Sequence, residues 1–227
     1  MSEVTLFNVF KKVRGKSFIS DLSFKVKAGE YFTICGPTGS GKSTILKIIA
    51  GLEKIDKGEI YIDEKLVNKI RAEYRGIGMV FEHPTYAIFP HYTLIENIYY
   101  GPRAKGGKLD EIKKIGSEML QMMLLEDRAD FFVNESSGGM LQRIALGRAL
   151  AASDKLILLD EPLSALDAKI RMALRYELMD IFKNVGVTCI HATQDTEEAL
   201  MISDRILVLN KGTIEQIGTP YKIYQHP

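Results

Sequence analysis

Long apolar runs are missing from this 227-residue chain. No stretch approaches the ~18 residues that cross a bilayer, and the residues from Met1 onward do not read as a signal peptide. Cysteine is scarce: Cys35 and Cys189 are too few for a disulfide framework, which points to a reducing, cytoplasmic setting. An excess of either charge is missing too, with 30 Lys+Arg against 29 Asp+Glu and a formal charge of +1. That balance argues against a nucleic-acid-binding domain dominated by phosphate contacts. Internal repeats and low-complexity linkers are absent. What remains, 46% hydrophobic and 26% charged residues, is ordinary globular composition. The length suits one domain, or one domain with a lobe inserted into it. Any work at a membrane then falls to a partner.

The first 30 residues alternate apolar and polar positions (Val4, Leu6, Val9, then Leu22, Phe24, Val26), which suits short strands. Gly58–Val67 reads as a hairpin turning at Asp63–Glu64. Tyr31–Cys35 and Leu156–Leu159 read as buried parallel strands, with Val187–Ala192 and Ile206–Leu209 as two further candidates. Leu109, Ile112, Ile115, Met119 and Met123 recur at helical spacing, as do Ile170, Leu174, Leu178 and Ile181. Core packing explains the methionines Met119, Met122 and Met123 better than a flexible binding surface does. Residues from about Pro84 to Ala152 read as a mostly helical lobe (84–152) inserted into an α/β core.

The strongest signal is Gly36-Pro37-Thr38-Gly39-Ser40-Gly41-Lys42-Ser43-Thr44, a full match to G-x-x-x-x-G-K-[ST]. An apolar strand precedes it and the helical run Ile45–Ala50 follows. Glycines let the backbone wrap phosphate oxygens with its N–H groups, and the helix N-terminus adds positive partial charge. Lys42 is expected at the β- and γ-phosphates and Ser43 on Mg²⁺. Leu156–Leu159 then delivers Asp160 and Glu161 to a strand's carboxyl end, where ligands bind in open α/β sheets. Asp160 is the expected Mg²⁺ ligand and Glu161 the general base for an attacking water.

Asp160-Glu161-Pro162-Leu163-Ser164-Ala165-Leu166-Asp167 resembles the joined Walker B and D-loop of ATP-binding cassette (ABC) ATPases, and the resemblance covers essentially the whole chain. Ser137-Gly138-Gly139 with Gln142-Arg143 resembles that family's LSGGQ signature. The run Ile88–Ile98 and the segment Ile217-Gly218-Thr219-Pro220 with Ile223-Tyr224 resemble importers of the sugar, sulfate/molybdate, iron and polyamine group. The resemblance implies a RecA-like P-loop NTPase core with an antiparallel β-subdomain and an inserted helical subdomain, forming a single ABC ATPase domain over 1–227. It implies a dimer, homo- or hetero-, that sandwiches two MgATP, each against the Ser137, Gly138 and Gly139 of the opposite subunit. It also implies a peripheral location on the inner face of the cell membrane. Permease subunits are expected to dock in a groove near Glu82–Tyr92, with Ile88, Phe89, Pro90 and Tyr92 at the surface. No nucleic-acid partner is expected. Such importers often carry a further C-terminal regulatory domain, and His226-Pro227 falls about where it would begin: a short member or a truncated one.

Four departures from the family pattern surround the nucleotide. Glu82 replaces the Q-loop glutamine and is a candidate Mg²⁺ ligand. Ser136 and Met140 replace the Leu and Gln of the signature. Gln194 replaces the switch histidine, so it can donate an amide hydrogen bond to a γ-phosphate but cannot be cationic. His191 lies three residues earlier, on the opposite strand face, and reads as a packed histidine. The adenine-stacking position falls near Val13 or Arg14, with Arg14, Phe10 and Phe18 as open alternatives. Two functions follow: an importer's ATPase subunit, or a low-turnover nucleotide switch that forms the weak half of a pair.

Overall fold

The computed structural model describes residues 1–13, 15–153, 155–164 and 166–225. The N-terminal alternation becomes two strands longer than expected, β1 (Val4–Val13) and β2 (Lys16–Val26), paired antiparallel. β3 (Tyr31–Cys35) follows, then helix α1 (Lys42–Ala50). On its other edge β1 pairs with β4 (Lys57–Ile62), which turns into β5 (Lys65–Leu66). The turn residues Asp63 and Glu64 have φ of 49° and 62°. That is the left-handed geometry a tight two-residue hairpin requires, so the hairpin sits where the sequence puts it.

The second sheet positions the site. Its order is β10 (Thr213–Gly218), β9 (Arg205–Asn210), β3, β8 (Thr188–Thr193), β7 (Leu156–Asp160) and β6 (Ile77–Val80). All run parallel except β10, which returns antiparallel to β9. Every residue of β3, β7 and β8 is buried, which is why Tyr31–Cys35 and Leu156–Leu159 read as apolar runs; in β8 the polar Thr188, His191 and Thr193 are buried as well. The two-residue period persists in space. Phe32, Ile34, Leu156, Leu158 and Ile190 face α1 and the antiparallel sheet. Tyr31, Ile157, Leu159 and Cys189 face a second cluster. That cluster is built with α2 (Leu94–Ala104), α3 (Leu109–Met122), α4 (Gly138–Ala152) and α5 (Ala168–Val185).

Thr93 caps α2, and Glu96 reaches back to the Thr93 N–H. α3 departs from the expected stripe. Leu109 is 57% exposed, whereas Ile112, Gly116 and Leu120 are buried. A Cβ on Gly116 would collide with the Tyr99 ring, so the closest approach of α2 and α3 is made at a residue that apolar periodicity cannot register. Met123 is buried, and Met119 and Met122 pack against the same cluster; these methionines are core. Leu174, Leu178 and Ile181 are buried as expected, and the side chain of Ile170 lies outside the described residues. The chain ends in α6 (Thr196–Ile202) and α7 (Pro220–Gln225) around β9 and β10. Among the described residues no helix is long and apolar enough to cross a membrane.

Candidate functional site

β3 ends at buried Cys35, and the chain must turn at once into α1. Gly36 makes the turn possible, because a Cβ there would collide with the Leu209 carbonyl oxygen of β9. Gly39 and Gly41 have φ of 80° and 111°, a region that penalises side chains. α1 starts at Lys42, three residues before the run Ile45–Ala50 that marks it in sequence, because Lys42, Ser43 and Thr44 carry no apolar signal. Its unpaired first-turn N–H groups therefore open directly into the 36–44 loop.

One cavity of about 190 Å³ gathers Thr38, Gly39 and Gly41 to Thr44 with Glu82, Glu161 and Gln194, and Phe18 forms part of its wall. Gly36 and Pro37 lie on the other side of the loop, with their carbonyls toward Lys42; Ser40 is buried beneath it. Lys42 is 3% exposed, and its Nζ donates to Gly36 O at 2.9 Å and Pro37 O at 3.2 Å. The same Nζ lies 3.2 Å from Glu161 Oε1. Ser43 Oγ donates to Asp160 Oδ1 at 2.7 Å. Burial pushes the Asp160 carboxyl above its ordinary value, against the Ser43 hydroxyl and Lys47, which pull it down. Glu161 has φ of 44°, a strained position for a non-glycine residue that costs about 1–2 kcal/mol. Hydrogen bonds from Glu161 N to Ala192 O, and from Ser164 N and Oγ to Glu161 O, hold it there.

The donor set fits a small hard cation. Among the described residues no three His, Cys, Asp or Glu side chains form a metal cage. A magnesium ion needs none, since it takes one or two protein oxygens and completes its shell with phosphate and water. The Ser43–Asp160 pair, with Glu82 on the same cavity, offers those oxygens.

Gln194 follows β8 and is exposed, and its Oε1 accepts from Thr38 Oγ1 at 2.8 Å. Its neighbour Asp195 caps α6 and pairs with buried Arg175 of α5. No sequence feature marked Arg175, because its partner is 20 residues away on another element. Arg75 was also missed. Its guanidinium donates to the carbonyls of Ile48, Ile49, Val67 and Ile70, tying the C-terminal end of α1 to the loop after β5.

Ser137, Gly138 and Gly139 do not join this cavity. Ser137 and Gly138 are exposed at the start of α4, and Ser137 Oγ caps the Met140 N–H at 3.3 Å. The Met140 side chain packs against the second core cluster. Arg14 lies outside the described residues, and Val13 is 41% exposed. The surface expectation holds at Pro90, which is exposed, and needs correction at Ile88, with Phe89 and Tyr92 half-buried. Ile88 is 4% exposed and belongs to the core, while Phe89 is half-buried against the Arg148 guanidinium at 4.2 Å. The side chain that stands out is Tyr86, 76% exposed.

The model of the ABC transporter family matches residues 19–164. The chain belongs to this family. It is 40% identical to the spermidine/putrescine import ATP-binding protein PotA of Thermotoga maritima, over 99% of this chain and 61% of that protein. It is 43% identical to the sulfate/thiosulfate import ATP-binding protein CysA of Halalkalibacterium halodurans, over 99% of this chain and 63% of that one. The chain thus spans about three fifths of these relatives. Among solved structures, cbiO1 of Clostridium perfringens, part of an ABC transporter complex, superposes with a TM-score of 0.89 at 26% identity, covering 98% of this chain and 90% of that one. A dimeric ATP-binding cassette in a post-hydrolysis state with ADP and Pi superposes with a TM-score of 0.82 at 32% identity, covering 96% and 98%. The fold of this ABC protein is the RecA-like P-loop NTPase core with its β- and helical subdomains.

Proposed function

We propose that this chain binds MgATP at residues 36–44, hydrolyses it, and through closure of a dimer drives the membrane-spanning subunits of an importer. The observation that carries the reading is the meeting of Lys42, Ser43, Glu161 and Gln194 in one cavity, beside Asp160. It lies at the carboxyl edge of β3, β7 and β8, where open α/β sheets bind ligands. The import ATP-binding relatives and the nucleotide-bound cassette dimer support it.

Each residue's part follows from its chemistry. Loop N–H groups and the α1 N-terminus bind phosphate oxygens. Those oxygens compete with Glu161 for Lys42, whose Nζ lies 3.2 Å from the carboxylate. Drawing Lys42 away leaves Glu161 free to accept a proton from the attacking water. Ser43 Oγ and Asp160, with Glu82 at the rim, would hold Mg²⁺, which would supply charge neutralisation to the phosphates. Gln194 donates its amide to the γ-phosphate after giving up Thr38. Phe18, on the cavity wall, is the aromatic best placed for the nucleotide base. The exposed N-terminus of α4, with Ser137, Gly138 and Gly139, completes the site of a second copy. Permease subunits dock beside Glu82–Tyr92, with Tyr86 as the exposed contact and the chain peripheral on the inner face of the membrane.

A second reading, a slow nucleotide switch, is favoured by one observation: the switch position holds an uncharged amide. Steady-state ATPase of the parent and of Gln194→His at saturating MgATP separates the two. An importer-like parent rate with no gain from histidine excludes the slow switch. Parent hydrolysis equal to that of Glu161→Gln removes the ATPase reading altogether.

A further inference from the structure

The strand end that carries Gln194 is tied to a row of buried polar groups with no part in the chemistry above. Thr193 Oγ1 donates to Glu198 Oε2 at 2.6 Å and accepts from Asp195 N at 3.0 Å. Asp195 Oδ1 accepts from Glu198 N at 3.0 Å. These three bonds close a ring around residue 194. Glu198 is 3% exposed, and its second oxygen, Oε1, has no hydrogen-bond partner. That oxygen faces His191 Nε2 at 3.7 Å. His191 is fully buried, and its Nε2 also lacks a hydrogen-bond partner. The other ring nitrogen, Nδ1, lies 3.1 Å from Tyr31 Oη.

We propose that Tyr31, His191 and Glu198 form a buried relay that sets the position of Gln194, making them positioning residues for its phosphate contact. This rests on the reading of Gln194 as that contact. Geometry gives the row a direction: the Glu198 carboxylate oxygen facing Nε2 can only accept, which leaves Nδ1 to accept from the Tyr31 hydroxyl; burial holds that phenol protonated, well above its ordinary range. The imidazole proton then sits on Nε2, aimed at Glu198. Burial also holds His191 below its ordinary value, so the ring is neutral at pH 7; the carboxylates of Glu198, Glu161 and Asp195 act against that. The Cys189 thiol beside Tyr31 is kept protonated by burial as well.

An unpaired buried carboxylate oxygen and an unpaired buried N–H are each costly. Shortening their gap to the usual range of about 2.7–3.2 Å satisfies both. Because Glu198 also holds Thr193, that shift moves the backbone next to Gln194. A histidine acting only by packing would need neither nitrogen.

The test combines one spectrum with four variants of the same chain. The ¹⁵N imidazole signals of His191 should report the Nε2–H tautomer. kcat and KM for MgATP should then be measured for His191→Phe, Thr193→Val, Thr193→Ser and Gln194→Ala. Thr193→Ser restores the hydroxyl and should match the parent. Thr193→Val and His191→Phe should lower kcat roughly tenfold, the scale of a sub-ångström misplacement, with KM changed less than twofold. Thr193→Val is isosteric, so it stands if His191→Phe fails to fold by thermal melt. An Nδ1–H tautomer overturns the relay, and so does a parent-like kcat in Thr193→Val. If Gln194→Ala keeps the parent kcat, the phosphate reading of Gln194 fails instead.

Discussion

Lys42 is nearly fully buried, and its partners are two loop carbonyls and one carboxylate. Lys42→Ala removes the only side-chain cation of the loop and leaves its backbone N–H groups in place. ATP affinity should therefore fall strongly while the thermal melt survives; unchanged affinity in a titration would refute the cradle. Glu161→Gln keeps the shape and removes the base, so ATP should still bind while hydrolysis slows roughly 10²–10⁴-fold. His191 bears on stability. Its folded pKa is lowered from 6.5, so as pH falls below 6.5 the unfolded chain takes up that proton first. Stability should drop across the window just under 6.5, with a slope of at most about 1.4 kcal/mol per pH unit. His191→Phe should flatten that slope in denaturant melts; an identical slope would show that the ring does not titrate as described. That the loop residues, Asp160 and Glu161 meet at one place was legible because contiguous motifs carry them. His191 read correctly as a packed strand histidine, but its partners Tyr31 and Glu198 come from another strand and a helix, so the row they form was invisible.

At the scale of elements, the site depends on how closely backbones pass. Gly36 lets β9 lie against the turn leaving β3. Gly36→Ala should cost about 1–3 kcal/mol of overpacking, read as a lowered melting temperature together with weakened ATP binding. A melt equal to the parent's would mean the strands can part without penalty. α1 began earlier than its apolar run because a helix's first turn is polar when it faces a ligand. α3 turned its buried stripe toward Gly116, since pattern reading counts large side chains and cannot count a contact made by having none. The Met140 position shows the same limit. Its family counterpart is polar, yet the side chain here packs against the core, and Met140→Gln would set an amide on that apolar surface.

For the whole molecule, the two lobes divide the labour. The sheet lobe holds the cavity, while the exposed N-terminus of α4 presents Ser137 away from it. On the proposed function, a second cassette subunit would bring its signature to the phosphate. Glu161→Gln with ATP should sediment as a dimer and return to monomer after nucleotide removal; a monomer at saturating ATP would count against closure. Charge at Tyr86, exposed and outside the core, should break copurification with permease subunits while ATP binding persists; intact copurification would move the docking surface elsewhere. That the elements of residues 84–152 are helical was legible from where strand and helix patterns switch, but the inward turn of Ile88 was not, since an apolar residue in a loop reads the same whether it faces water or core. The strand order also sets a timetable for the ribosome. β3, which leads into the phosphate loop, has its partners at residues 188–193 and 205–208. Until those residues emerge, this fully buried strand has two bare edges. The emerging protein must therefore shelter residues 31–35 until residues 188–208 have been made, and nucleotide cannot help it fold before then.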